Sequence, residues 1–184
     1  MKLRNLAAVA AACLITGLAA SPAHATAVTA DQWYTFGFGG DGDPLVDGSA
    51  VVLGTQSIAA PATPWTITLA TPMYLFVTDG FQQGDEFELF DFGVSIGSTS
   101  ANADDGTHTC SNDEVACYAD PLMSHGAFLL AAGDHSLTGT VTDSPFGGGA
   151  GFFLIAAQVP EPGTLALLGM ALAGLAIRRR KRAA

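Results

Sequence analysis

Apolar residues in the middle of this chain recur at every second position, and turn formers interrupt them before a helical period can establish itself. Tyr34, Phe36 and Phe38 fall on one side of an extended segment. Trp65, Ile67 and Leu69 alternate with Thr66 and Thr68. Met73, Leu75 and Val77 stand opposite Tyr74 and Phe76, Phe87 and Leu89 alternate with Glu86 and Glu88, and Leu137 and Val141 alternate with Thr138, Thr140 and Thr142. A spacing of two places successive side chains on opposite faces of a strand, so each run predicts a sheet with a buried face. Tyr74, Phe76, Phe90 and Phe92 add apolar bulk on the second face, which predicts partial burial on both sides. Residues 128–132 are read as a further strand, and residues 151–159 as a last, more continuously apolar one. Gly39-Gly40-Asp41-Gly42-Asp43-Pro44, Asp79-Gly80, Gly84-Asp85, Asp104-Asp105-Gly106 and Gly147-Gly148-Gly149 supply the turns between them. Eight or nine short strands within residues 26–158 predict an all-β fold, an antiparallel β-sandwich of jelly-roll-like type, with a closed barrel as the alternative.

Charge divides the chain more sharply than its net value of -10 suggests. No Lys or Arg occurs between residues 5 and 177, and all of the 17 acidic residues except Glu161 lie in residues 26–158. A body without a single ammonium or guanidinium group has no strong donors for phosphate, which excludes nucleic acid, nucleotides and anionic lipid as its partners. The same absence excludes Schiff-base chemistry and arginine clamps.

The cations sit at two ends that read as addresses. Lys2 and Arg4, an apolar stretch and Ala23-His24-Ala25 form the pattern of a secretory signal peptide over residues 1–25, with cleavage by signal peptidase expected after Ala25. At the other end, residues 165–177 are all apolar or Gly, and Arg178-Arg179-Arg180-Lys181-Arg182 follows at once. Such a run makes a helix of about 20 Å, short against about 30 Å of bilayer hydrocarbon, but the cations stop translocation and their stems can snorkel. The expected organisation is a signal peptide (1–25), one β-sandwich domain (26–158), and a C-terminal segment (159–184) whose short transmembrane helix holds the chain in the inner membrane for a time.

Val159-Pro160-Glu161-Pro162-Gly163-Thr164-Leu165-Ala166-Leu167-Leu168-Gly169, followed by the arginine cluster, resembles the sorting signal of bacterial PEP-CTERM proteins. The resemblance implies that Pro160, Glu161 and Pro162 are read by exosortase, a membrane-embedded cysteine protease, and that this chain is its substrate. It also implies a place in the cell envelope, at the cell surface, or in an extracellular or biofilm matrix, with exopolysaccharide as a partner.

Cys110 and Cys117 survive signal-peptide removal and close a short loop. In an exported chain a disulfide is the natural reading. Metal ligation aided by His108 is the alternative, although the spacing fits no common zinc motif. The surrounding Asn, Asp, Thr and Gly residues predict a long surface loop stapled at its middle.

No residue set announces a cofactor or an enzyme. Uncompensated carboxylates suit a hard cation, and Ca²⁺ at Asp79 and Asp85 is the favoured metal reading, ahead of clusters at Asp41, Asp43 and Asp47 and at Asp104, Asp105 and Asp113. None has the EF-hand spacing. Gly93-Val94-Ser95-Ile96-Gly97 has the G-x-S-x-G form of a hydrolase, but no apolar helix follows it. Glu86 and Glu88 lie on one strand face and suggest a glycosidase pair only weakly. Among aromatics able to stack on sugar, Trp33, Tyr34, Phe81, Tyr118 and Phe146 are candidates, with Phe81 and Phe146 preferred because they fall in turns. The expectation is therefore a non-enzymatic exported protein with a structural or adhesive role; a carbohydrate- or calcium-binding module is second, and a secreted hydrolase a distant third.

Overall fold

The computed structural model describes residues 26–103 and 106–157. Eight longer strands build the body: β2 (Trp33–Phe38), β4 (Trp65–Leu69), β5 (Met73–Asp79), β7 (Glu86–Asp91), β8 (Val94–Ser98), β10 (His125–Leu130), β11 (Gly133–Asp143) and β12 (Gly149–Ala156). Four short ones, β1 (Thr26–Ala27), β3 (Ile58–Ala59), β6 (Phe81–Gln82) and β9 (Thr109–Ser111), border them, and one short helix, α1 (Glu114–Ala119), lies between β9 and β10. One sheet runs β1-β4-β11-β7-β8 and the other β10-β5-β12-β2-β3, while β6 and β9 form a two-stranded ribbon. Among the eight longer strands the chain changes sheet at every step except the β7–β8 hairpin.

Pairing between the longer strands is antiparallel, as the alternating sequence predicts. The two-residue edge pairs β1·β4 and β2·β3 are parallel, so the sheets are mixed at their margins. Both edge segments are stretches of chain running past a sheet rather than hairpin arms. Val28 N, for instance, donates to Thr66 O at 2.9 Å.

The core lies between the two sheets and is aromatic. Phe36, Trp65, Phe87 and Phe153 are wholly buried there with Leu75, Leu89 and Leu137. The Trp65 ring stacks on Phe153 at 4.2 Å, and Phe36 meets Phe87 edge-on at 5.3 Å. Every alternating series in the sequence delivers its apolar members to this space.

A second, smaller cluster forms on the outer face of the other sheet. Trp33, Phe76, Phe152 and Leu154 point away from the main core and are covered by Cys117, with Val115, Tyr118 and Cys110 packed at the margin. This layer explains why β2 and β12 carry apolar residues on both faces. Its cover is α1, where the sequence predicts only surface loop. Asp113 caps the helix through Oδ1, which accepts from Val115 N at 3.1 Å and Ala116 N at 3.0 Å. The Cys110–Cys117 disulfide is present and fastens the helix to β9. Glu114 is fully buried at the start of the helix. Its Oε1 accepts from Gln56 N at 2.8 Å and Ser57 N at 2.6 Å, and its Oε2 accepts from Thr55 Oγ1 at 3.0 Å.

Candidate functional site

A cleft of about 360 Å³ opens where the turn after β5 meets the β11–β12 connection. Phe81, Gln82, Asp85 and Phe146 contribute its side chains, with Gly80, residues 148–150 and residues 50–52 completing the wall. Phe81 has φ +63°, a left-handed conformation that is unusual for an aromatic residue. It is held there by pairing across β6 and β9 and by the buried Phe152 ring 5.8 Å away. Gln82 Nε2 donates to Gly106 O at 3.0 Å, and Gln83 N donates to His108 O at 3.1 Å, tying the turn to the segment before β9. Phe146 is half exposed, and its ring lies over Gly106, where a Cβ would come within 2.5 Å of it. The two preferred aromatics thus share one cleft.

Beneath that cleft lie two buried carboxyls. Asp79 ends β5 and is fully buried; Asp85 begins the approach to β7 and is 6% exposed. Asp79 Oδ1 accepts from Gly80 N at 2.7 Å and Oδ2 accepts from Asp85 N at 3.2 Å, so this residue organises the 79–85 turn. Burial, and then the charge of Asp85, push the Asp79 carboxyl up to about 9. Asp85 is also raised, first by burial, against which a hydrogen bond with Ser144 acts, and further by the charges of Asp143 and Asp41. Asp85 Oδ1 is buried without a hydrogen-bond partner. The Ca²⁺ pair of the sequence therefore sits side by side, but with Asp79 already committed to backbone donors. Among the described residues no group of three or more His, Cys, Asp or Glu side chains is placed to hold a metal ion.

Residues 158–181 match the family model described as PEP-CTERM protein-sorting motif. The chain carries this sorting motif. A PEP-CTERM motif indicates an exported protein that exosortase processes, and it is consistent with a place in the cell envelope. No curated protein and no solved structure matches the chain. Pro160, Glu161 and Pro162, the apolar run at 165–177 and the signal peptide expected at 1–25 lie outside the described residues.

Among the described residues most other polar residues singled out by sequence hold local structure. Asp41 Oδ1 accepts from Ser144 N at 2.6 Å, Asp43 Oδ2 from Gly40 N at 3.0 Å, and Asp47 Oδ1 from Ser49 N at 2.9 Å, so each acid of this cluster is taken up by a different backbone donor. Asp104 and Asp105 lie outside the described residues. Ser95 is a residue of β8 whose Oγ donates to Glu88 Oε1 at 2.6 Å. Gly93, with Phe92, forms the two-residue turn of the β7–β8 hairpin at φ +76° and +48°, so the G-x-S-x-G string lacks its strand–turn–helix setting. Glu86 Oε1 accepts from Asn102 N at 3.0 Å. Trp33 and Tyr34, offered as sugar-stacking candidates, are buried in β2 and present no face to a ligand. Tyr118 meets Phe76 edge-on at 5.4 Å. Phe92, expected to be partly buried, is exposed at its hairpin turn, because β7 ends one residue before it.

The histidines form two acid pairs that the sequence does not signal. His108 Nε2 lies 2.6 Å from Asp120 Oδ2. Burial raises Asp120, but the bonds from His108 and Leu122 N outweigh it and hold the carboxyl below its usual range. His135 is buried with both ring nitrogens engaged, Nδ1 with Asp91 Oδ2 at 2.7 Å and Nε2 with Ala131 O at 2.9 Å. Burial lowers its pKa, yet the bonds to Asp91 and Ala131 and the charges of Asp91 and Asp134 leave it raised. With both nitrogens occupied it pins β11 to the end of β7.

Proposed function

We propose that this protein is a non-enzymatic component of the cell surface or extracellular matrix, with a structural or adhesive role. The sorting motif carries the reading. In support, the catalytic candidates of the sequence hold local structural bonds: Ser95 bonds to Glu88, and Glu86 to the backbone at Asn102. The strand orders β10-β5-β12-β2 and β4-β11-β7-β8, with the chain crossing between sheets, are those of a jelly roll, a fold that presents loops at both ends of a stiff core. In this reading signal peptidase removes residues 1–25, the 165–177 helix holds the chain in the inner membrane, and exosortase acts at the Pro160-Glu161-Pro162 region. In the native host, intact mass of wild-type protein is expected to show both ends removed. Glu161→Ala is expected to remain in the membrane fraction with its basic tail attached. Identical processing of the two proteins would overturn the assignment of Glu161 to recognition.

A second reading, a carbohydrate-binding module, is favoured by one observation: Phe81 and Phe146 meet Gln82 and Asp85 in a single cleft. An aromatic face for a sugar ring beside polar groups for its hydroxyls is what such a site needs. Because Phe146 is half exposed, Phe146→Ala is expected to leave the fold intact. It should weaken binding to exopolysaccharide from the host about tenfold, the worth of one aromatic stacking contact. Affinity gels run with and without the polysaccharide check this, and unchanged retardation of Phe146→Ala would remove the cleft as the platform.

A further inference from the structure

Asp85, the one acid lining the cleft, belongs to a cluster of acids with no base to answer it. Asp79 comes from the end of β5 and Asp85 from the turn before β7, while Asp143, at the end of β11, and Asp41, from the loop after β2, face Asp85. Ser144 supplies a neutral hydrogen bond to Asp85, and Ser144 N is in turn bonded to Asp41 Oδ1. No Lys or Arg exists between residues 5 and 177 to enter this cluster. Asp85 Oδ1, buried and without a partner, lacks a donor. Asp85 N donates to Asp79 Oδ2 at 3.2 Å, so the two acids are neighbours, and a proton held by the pair supplies the donor that the cluster otherwise lacks.

We propose that Asp79 and Asp85 share one proton that acts as a latch under the cleft, holding the Asp79–Asp85 turn closed on itself until rising pH removes it. The proton does what a cation would do elsewhere: it cancels one of two adjacent buried charges and brings a donor to a pair made of acceptors. Losing it leaves two carboxylates side by side out of water, and their repulsion falls on the turn between them, which carries Phe81, Gln82 and Asp85 into the cleft. The latch concerns the shape of the cleft and holds for any occupant.

The direction of the effect follows from linkage. Asp79 titrates at its ordinary value of 3.8 in the unfolded chain and near 9 in the fold. Below 3.8 both states hold the proton and the contribution to stability is complete. Between those values only the folded state holds it, so stability falls as pH rises, by at most about tenfold in the folding equilibrium per pH unit. His135 also loses stabilisation as pH rises through its raised value, so the slope of the wild type alone is not diagnostic.

Asp79→Asn isolates the latch, because the amide cannot titrate yet can still donate to Asp85. It gives up one of the two backbone bonds that the carboxyl accepts. Thermal melts of the 26–157 body within the full exported chain, from pH 5 to pH 9.5, are therefore expected to cross. Asp79→Asn should melt below wild type at pH 5 and above it at pH 9.5, with the wild type falling by roughly 3 °C more per pH unit between them. Hydrogen exchange at residues 80–85 should accelerate with pH in the wild type beyond the chemical rate, and not in the variant. Asp85→Asn, which removes the neighbouring charge while Asp79 keeps its backbone bonds, should show a reduced wild-type slope. Parallel curves for wild type and both variants would overturn the proposal. So would a rise in wild-type melting temperature on adding Ca²⁺ at pH 7 that Asp79→Asn lacks, since the pair would then be holding a metal.

Discussion

Glu114→Ala is expected to destabilise the body by about 3–5 kcal/mol, the combined loss of three hydrogen bonds to a wholly buried carboxylate, one of whose donors, Ser57 N, is left buried without it. Two of those donors are backbone groups, Gln56 N and Ser57 N, and neither can be withdrawn by rotating a side chain. The third, the Thr55 hydroxyl, can turn elsewhere. The loop they belong to is knitted onward to β2, for Gly54 N donates to Thr35 Oγ1 at 3.1 Å and Thr35 Oγ1 lies 2.6 Å from Ser57 Oγ. Gly54 has to be glycine, because a Cβ there would come within 2.1 Å of Glu114 Oε1. Removing the carboxylate therefore unties α1 from the 54–57 loop and loosens the cover over Trp33, Phe76 and Phe152. Glu114→Gln keeps one oxygen for the backbone donors and offers an amide to the Thr55 oxygen, so it should recover most of the loss. Urea unfolding of the three proteins decides the matter. A cost below about 1 kcal/mol for Glu114→Ala would mean that the loop finds other acceptors.

That carboxylate was invisible to sequence reading, and the reason is physical. Asn112-Asp113-Glu114 reads as solvated loop because Glu is almost never fully buried. What buries it is a pair of backbone N–H groups more than fifty residues away, and no local pattern announces such a partner. The six-residue helix escaped for a related reason: a stretch under two turns long shows no period, and its stability comes from the cap, the disulfide and the packing of Cys117. Strand parity, by contrast, is fixed locally. Side chains two apart must share a face, so Phe36 and Phe38, Phe87 and Leu89, and Leu137 and Val141 could be assigned to the core from their spacing alone. The cleft lies between these cases. Phe81 and Phe146 could be chosen as turn aromatics, and the Asp79 and Asp85 pair as neighbours, but their meeting depends on how the β11–β12 connection folds back over the turn. Trp33 and Tyr34 misled for want of the same information. Alternation shows that a strand has two faces, and only the covering layer decides whether the second is wet.

Trp65→Ala should cost about 3–5 kcal/mol, the usual range for emptying a wholly buried indole site. Its ring is the hinge of the inter-sheet core: it stacks on Phe153 from the opposite sheet at 4.2 Å and meets Phe36 at 5.8 Å. Its Nε1–H donates to Pro61 O at 2.8 Å, so the substitution also strips a carbonyl of its partner. Trp65→Phe keeps the stacking and most of the volume but loses that bond, and about 1–2 kcal/mol is expected for it. Val94→Ala, at an exposed position of β8, should stay within about 0.5 kcal/mol and serves as the control. The comparison with Glu114 locates the stability of the fold. Trp65 belongs to the cluster between the sheets, whereas Glu114 secures the helix that covers the outer one. If the two layers act independently, the losses in Trp65→Ala and Glu114→Gln should add to within about 0.5 kcal/mol in the double variant. A coupling of 1 kcal/mol or more would show instead that the outer cover tightens the packing between the sheets, since β2 and β12 have a face in each layer.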